Sequence, residues 1–390
     1  MDKRAIKYGG MLCGKEEVKA LHRSIAKSVK TGNWQQNDEG ALLEKEAAKF
    51  LGLKYGVLTN SGSSAGLLAL SALELPKGSE VIISAVTFPT IFNIILQCGL
   101  VPVIVDAKIP TYVFDIGEVE RAITPKTGAI IAIHAVGNPV DWVALKKLAK
   151  KHNIKTILDN CDGFGTTLHG KKVETYADVS FTSFHAAHIV SMGVGGGVFT
   201  NDKKLSQNVR VYRDWGRQAN TNAKNKYPTL PKDYNPRFIY EKIGYNFQIL
   251  ELQAAMGRVQ LRKANKIKKL RKANFEYLIK HLGIYDLIMP VSVEGAEVCW
   301  FAFPITVGPS VDRGKLVRHL EKNGIETRSM FSGVINAHPA YANSEYQISE
   351  DGLEEAHQIL KRSLWISCHP RMTQDDREYV AKTFSSFFNA

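Results

Sequence analysis

A chain of 390 residues is long enough for two packed cores, and 44% hydrophobic with 23% charged residues is an ordinary globular composition. No stretch approaches the roughly 20 uninterrupted apolar residues of a membrane helix. Met1–Gly10, with Asp2, Lys3, Arg4 and Lys7, has no apolar core of a secretory signal, so the chain reads as soluble and cytoplasmic, with no membrane partner. Lys plus Arg outnumber Asp plus Glu 51 to 38, a net charge of +13, which favours an anionic partner such as a phosphorylated small substrate. The densest basic run, Arg262–Lys272, carries Leu261, Ile267, Leu270 and Phe275 at helical spacing and reads as the wet face of a helix. No nucleic-acid motif accompanies it. Cys13, Cys98, Cys161, Cys299 and Cys368 are scattered without a CxxC pair, against a disulfide framework or a metal site.

In chain order, apolar runs predict strands at Tyr55–Asn60, Glu80–Val86, Val101–Asp106, Ala129–His134, Thr156–Asp159, Val179–Phe184 and Gly197–Thr200. Helical patterns lie between them at Ser64–Leu73, Thr90–Cys98, Ile116–Ile123 and Trp142–His152. This alternation predicts an α/β fold with a mostly parallel seven-stranded sheet covered on both faces. Such sheets bind ligands at the carboxyl ends of their strands. Gln218–Lys242, rich in Asn, Lys and Pro, predicts an extended loop, either a substrate lid or a dimer arm. A long helix over Leu250–Leu282 follows. A smaller α+β segment then runs through strand Trp300–Val307, helix Val311–Asn323, strand Ile325–Ser329, helix Glu350–Arg362 and strand Leu364–Ser367. The expected division is a large domain, 1–255, including the 218–242 loop, and a small C-terminal domain, 256–390.

Three strand ends carry candidate chemistry. Asn60-Ser61-Gly62-Ser63-Ser64-Ala65-Gly66 opens a helix with small and hydroxyl residues, which is either a phosphate site or a plain strand-to-helix turn. In Asp159-Asn160-Cys161-Asp162, Asp159 is either a helix cap or the partner of a protonated ring nitrogen. Ser183-Phe184-His185-Ala186-Ala187-His188 puts two histidines at another strand end, where this architecture does its chemistry.

Together these pieces resemble the sugar aminotransferase branch of the fold-type I pyridoxal phosphate (PLP) enzymes, along essentially the whole chain from Gly9-Gly10 to Leu364-Trp365. Further anchors are Arg213-Asp214-Trp215-Gly216-Arg217, Gly244-Tyr245-Asn246 leading into Glu251-Leu252-Gln253-Ala254-Ala255, Glu326-Thr327-Arg328 and Phe331-Ser332-Gly333. The resemblance implies that Asp159 keeps the cofactor's pyridine nitrogen protonated, that Phe88 stacks on the ring, and that Gly62, Ser63 and Ser183 bind its phosphate. It also implies that Asp162 lies near the ring hydroxyl, that Arg328 meets substrate, and that Asn246 reaches the phosphate of the neighbouring subunit in a homodimer with shared active sites.

Position 188 departs from the aminotransferases, which carry lysine there; no lysine lies between Lys172 and Lys203. The same histidine marks a subgroup that this sequence resembles, the GDP- or CDP-linked 4-keto-6-deoxyhexose 3-dehydratases. A Met-Gly pair follows the histidine in them as Met192-Gly193 does here. Imidazole cannot hold the cofactor covalently, but its reference pKa of about 6.5 suits proton transfer. The resemblance therefore implies pyridoxamine phosphate (PMP) bound non-covalently, His188 as the acid–base residue, loss of the sugar's 3-hydroxyl, and L-glutamate as amino donor.

The CDP-linked enzymes add a [2Fe–2S] cluster and a reductase. Cys161 matches one ligand, but no cysteine follows Arg217 before Cys299, and such a cluster needs four thiolates, so none is expected. A reductase partner stays open. Val194 stands where the subgroup usually has Glu, and His185 where Tyr is common. Two other readings keep the fold: an aminotransferase using a non-lysine base, and a silent subunit that binds cofactor or sugar. A nucleic-acid-binding role is the weakest alternative.

Overall fold

A computed structural model describes residues 5–218 and 226–389. The seven predicted strands form within a residue or two of their expected bounds: β1 Tyr55–Thr59, β2 Glu80–Ser84, β3 Val101–Val105, β4 Thr127–Ile133, β5 Lys155–Asp159, β6 Val179–Ser183 and β7 Gly196–Thr200. They lie in the order β1-β7-β6-β5-β4-β2-β3. Only β7 runs antiparallel to its neighbours, and a two-residue strand, Gln347–Ile348, adds an eighth member beside β3. Every residue of β2 and β3 is buried, as expected of a parallel sheet covered on both faces. The helices Gly62–Ser71, Pro89–Gln97, Ile116–Arg121 and Trp142–His152 fill the predicted connections. Asp115 and Asp141 cap the last two, each carboxylate accepting two backbone N–H groups.

The 32-residue helix Glu251–Leu282 leads to a second, antiparallel sheet of Leu287–Ile288, Ala302–Val307, Ser363–Ser367 and Thr327–Arg328. Its apolar stripe lies inward as the spacing predicts, with Leu261, Ile267 and Phe275 buried. Not all of the basic run faces water: Lys263 and Lys268 are mostly covered. Arg271 is 1% exposed and donates to the carbonyl oxygens of Phe301 (2.6 Å), Ala187 (3.3 Å) and Trp300 (3.4 Å). At three to four residues from Ile267 and Asn274, both buried, it falls on the inner stripe.

Two helices that periodicity missed, Lys15–Thr31 and Asp38–Phe50, pack on this long helix. The buried positions of Lys15–Thr31 are Glu17, Ala20, Ser24 and Ser28, small or polar rather than apolar, so no hydrophobic stripe announces it. Glu17 is held inside by Lys263 Nζ (2.7 Å) and by Gln260 Nε2 (2.7 Å). Helices Lys203–Arg213 and Gln374–Phe388 are further additions. Of the predicted 218–242 loop, residues 219–225 lie outside the described residues; the remainder carries only the short turn Pro236–Phe238.

The N-terminal segment crosses to the second sheet. Ile6 pairs with Ile325, and Tyr8 N donates to Glu326 Oε2 at 3.0 Å.

Candidate active site

The carboxyl ends of β1, β2, β4, β5 and β6 open onto a cavity of about 810 Å³, closed on the far side by Phe301, Arg328–Ser332, His338, Trp365 and Tyr8. Gly62, Ser63, Phe88, Asp159, Asp162, Ser183, His188 and Arg328 all line it. Asn246 does not: it is exposed and bridges to Asp214.

At the end of β1, Ser61 caps helix Gly62–Ser71, its Oγ accepting from Ser64 N at 3.0 Å, and Ser63 Oγ meets Thr90 Oγ1 at 2.7 Å. The helix start lies so close to the neighbouring strands that side chains are excluded. A Cβ on Gly62 would sit 2.7 Å from Ser183 Cβ, and one on Gly196 only 2.3 Å from the carbonyl oxygen of Ser61. Backbone N–H groups at a helix start, beside serines, make a cradle suited to an anion.

Asp159 ends β5 almost fully buried, and Cys161 N donates to its Oδ1 at 3.0 Å. Burial pushes its carboxyl up to about 6 against the pull of that hydrogen bond. Asp162 is pushed up to about 8, by burial first and by the charge of Asp159 second. No cationic side chain pairs with Asp159 among the described residues. A protonated heterocycle in the cavity would supply the missing positive charge, so cradle and carboxylate together suit a phosphorylated pyridinium cofactor. Phe88, 59% exposed on the cavity wall, offers a free aromatic face.

His188 is fixed from behind. Its Nδ1 lies 2.5 Å from the carbonyl oxygen of Cys161 and 3.8 Å from Asp162 Oδ1, and its ring packs on Phe301 with centroids 5.1 Å apart. A carbonyl only accepts, so Nδ1 carries the hydrogen and Nε2 holds a lone pair. Burial lowers the imidazole to about 4, outweighing the Cys161 carbonyl, which favours the charged ring. A neutral ring with a free Nε2 is a base ready to take a proton.

Two residues on or behind this wall escaped the sequence reading. His134, at the end of β4, accepts Trp142 Nε1–H at Nε2 (2.8 Å) and meets Asn160 Oδ1 through Nδ1 (3.2 Å); burial holds it down to about 3. The rule that drew attention to β5 and β6 applied equally to β4, so its position was the available signal. Arg271 acts from behind, holding the carbonyls of Ala187, next to His188, and of Trp300 and Phe301, the latter packed on His188, and a basic run gave no sign of it. On the opposite wall, Arg328 stacks over the Tyr8 ring at 4.3 Å and is half-exposed.

A sheet of this order with its site at the strand ends and a second antiparallel unit closing it is the fold of the fold-type I PLP enzymes. Residues 15–385 match the DegT/DnrJ/EryC1/StrS aminotransferase family, and the chain belongs to it. Lipopolysaccharide biosynthesis protein RfbH of Salmonella typhimurium (strain LT2) is 36% identical, over 97% of this chain and 91% of that one. The dTDP-4-dehydro-2,6-dideoxy-D-glucose 3-dehydratase of Saccharopolyspora spinosa is also 36% identical, over 88% of this chain and 79% of its own. Among solved structures, E. coli GDP-4-keto-6-deoxy-D-mannose-3-dehydratase with bound hydrated PLP superposes with a TM-score of 0.89 at 27% identity, covering 97% of this chain and 100% of that one. No described helix is long and apolar enough to cross a membrane.

Proposed function

We propose that this protein removes the 3-hydroxyl of a GDP- or CDP-linked 4-keto-6-deoxyhexose, giving a 3,6-dideoxy-4-ketosugar. The observation that carries the reading is His188: the cavity is lined by this imidazole, held neutral with its Nε2 free, and by no lysine among the described residues. Relatives named as 3-dehydratases of nucleotide sugars support it.

When bound, pyridoxamine phosphate supplies an amine for the sugar's ketone and a ring that accepts electrons. The cradle of Gly62, Ser63 and Ser183 would hold its phosphate, and Phe88 its ring face. Asp159 would hold a proton on the ring nitrogen, and Asp162 would lie near the ring hydroxyl. His188 Nε2 takes a proton from carbon and returns it to the leaving 3-hydroxyl oxygen. Its Nδ1–H stays on the Cys161 carbonyl throughout, which fixes the ring's orientation. Arg328 would face the substrate's anionic part. Asn246 would serve the site of a second copy in a homodimer.

L-Glutamate would restore the amine without a [2Fe–2S] cluster, since no cysteine follows Arg217 before Cys299 in the sequence and such a cluster needs four thiolates. The test is mass spectrometry of products after incubation with PLP, L-glutamate and GDP-, CDP- and dTDP-linked 4-keto-6-deoxyhexoses. A ketosugar one oxygen lighter, with 2-oxoglutarate formed, is expected. An amino sugar would instead establish transamination with a non-lysine base, and no product from any donor would mark a silent subunit or a missing reductase.

A further inference from the structure

Two imidazoles share the turn after β6, and their hydrogen bonds put them in opposite tautomers. His188 uses Nδ1–H on the Cys161 carbonyl, leaving an acceptor at Nε2. At His185 the relation is reversed: its Nδ1 accepts the backbone N–H of Ala187 at 3.3 Å, so its hydrogen resides on Nε2. The backbone N–H of His185 is itself anchored on Ser183 Oγ at 3.2 Å. Both rings line the same cavity, with centroids 6.0 Å apart and planes at 86°. Neither Nε2 has a protein hydrogen-bond partner among the described residues.

A donor and an acceptor set at this spacing suit a group that is both acceptor and donor. Rings 6.0 Å apart on one cavity wall leave both Nε2 atoms available to a single oxygen at ordinary hydrogen-bond distance. A carbonyl or an ether would satisfy one ring only, and an ammonium the other only.

We infer that His185 and His188 together clamp a single sugar hydroxyl, His185 donating its Nε2–H to the oxygen and His188 accepting the hydroxyl's hydrogen. This rests on the dehydratase reading and deepens it: the clamped group is the 3-hydroxyl that leaves. His185 stays neutral and transfers no proton, because its Nδ1 is engaged as an acceptor and loss of Nε2–H would leave an anion. In the balanced step the hydroxyl's hydrogen turns away as His188 Nε2 takes a proton from carbon. The Nε2–H then donates to the oxygen, the C–O bond breaks with its electron pair on oxygen, and the proton from His188 completes a water molecule. The hydrogen bond from His185 strengthens as charge grows on that oxygen. The proton count closes on His188 alone, and no oxidant or reductant enters.

The test has two arms. In protein labelled with ¹⁵N-histidine, the ring-nitrogen shifts of cofactor-free wild type should show His188 protonated at Nδ1 and His185 at Nε2. The reverse tautomer at His185 overturns the inference. Binding is then measured by calorimetry with 4-hydroxy (unreactive) 6-deoxyhexoses linked to GDP, CDP and dTDP, each beside its 3-deoxy counterpart. Wild type should prefer the 3-hydroxyl form by about tenfold. His185→Phe should reduce that preference severalfold, leaving only the His188 contact, while His185→Gln, which keeps an N–H donor, retains more of it. An undiminished preference in His185→Phe overturns the clamp and leaves the dehydratase reading standing. Binding of none of the ligands to wild type would remove the nucleotide-sugar reading and the clamp with it.

Discussion

His188 Nδ1 lies 2.5 Å from the carbonyl oxygen of Cys161, two residues beyond Asp159 on the turn that ends β5. One turn of backbone thus places both the buried carboxylate and the imidazole. The proposed acid–base residue is held by a main-chain atom that substitution of Cys161 leaves in place.

Replacing the imidazole should therefore remove chemistry and spare binding. His188→Asn is expected to lower deoxygenation by about 10²–10⁴-fold, the usual contribution of a positioned acid–base group. Affinity for pyridoxamine phosphate, followed by fluorescence, should change little. Loss of both together would mean that the ring is part of the cofactor's seat.

The raised carboxyl of Asp162 gives stability a pH dependence with a definite sign. A group held at about 8 in the fold against 3.8 ordinarily makes the folded chain bind more protons, so stability falls as pH rises through that interval. His134 and His188, lowered by burial, act in the opposite sense below 6.5. The clean window is therefore 6.5 to about 8, where Glu174, raised by burial to about 7, adds to the fall. Melting temperatures of the cofactor-free protein should drop across it, and Asp162→Asn should reduce the slope.

Glycine is required at two places in the cradle for different reasons. At Gly196 the obstacle to a Cβ is a backbone carbonyl, whereas at Gly62 it is the Ser183 side chain. Gly196→Ala is expected to cost about 1–3 kcal/mol or more in urea unfolding. Gly62→Ala should cost less stability and weaken PLP binding about tenfold, through displacement of Ser183.

Arg271→Met should act on both fold and rate. It removes the donor to three buried carbonyl oxygens, including that of Ala187 beside His188. A loss of about 3 kcal/mol in chemical denaturation is expected. Turnover of the surviving folded fraction should fall while KM holds, since the change reaches the imidazole through the backbone.

The fold was legible because its strands are buried on both faces, and continuous runs such as Val81-Ile82-Ile83 and Val103-Ile104-Val105 have few other uses. Strand ends then drew attention to Asp159, Ser183 and His188, and the family resemblance assigned their roles. The face of the cavity made by Tyr8, Phe301 and His338 was not legible. Those residues come from segments far apart in the chain, joined by contacts such as Ile6 with Ile325 that no local pattern encodes. Arg271 shows a second limit: within a run of like charges, a single inward-facing residue has the same spelling as its solvated neighbours. Helix Lys15–Thr31 was hidden because it buries Glu17, Ser24 and Ser28 instead of a hydrophobic stripe.

The crossing of the N-terminal segment onto the second sheet bears on how the molecule is made. On the ribosome, Ile6 and Tyr8 emerge long before their partners Ile325, Glu326 and Arg328. The wall from Ser61 to Gly195 can close around a phosphate while the opposite wall is still being synthesised. The earlier segment must wait unpaired until those partners are made. The half of the cavity that would seat the cofactor is drawn from one stretch of chain, and the half that would meet the sugar joins segments 318 residues apart in sequence.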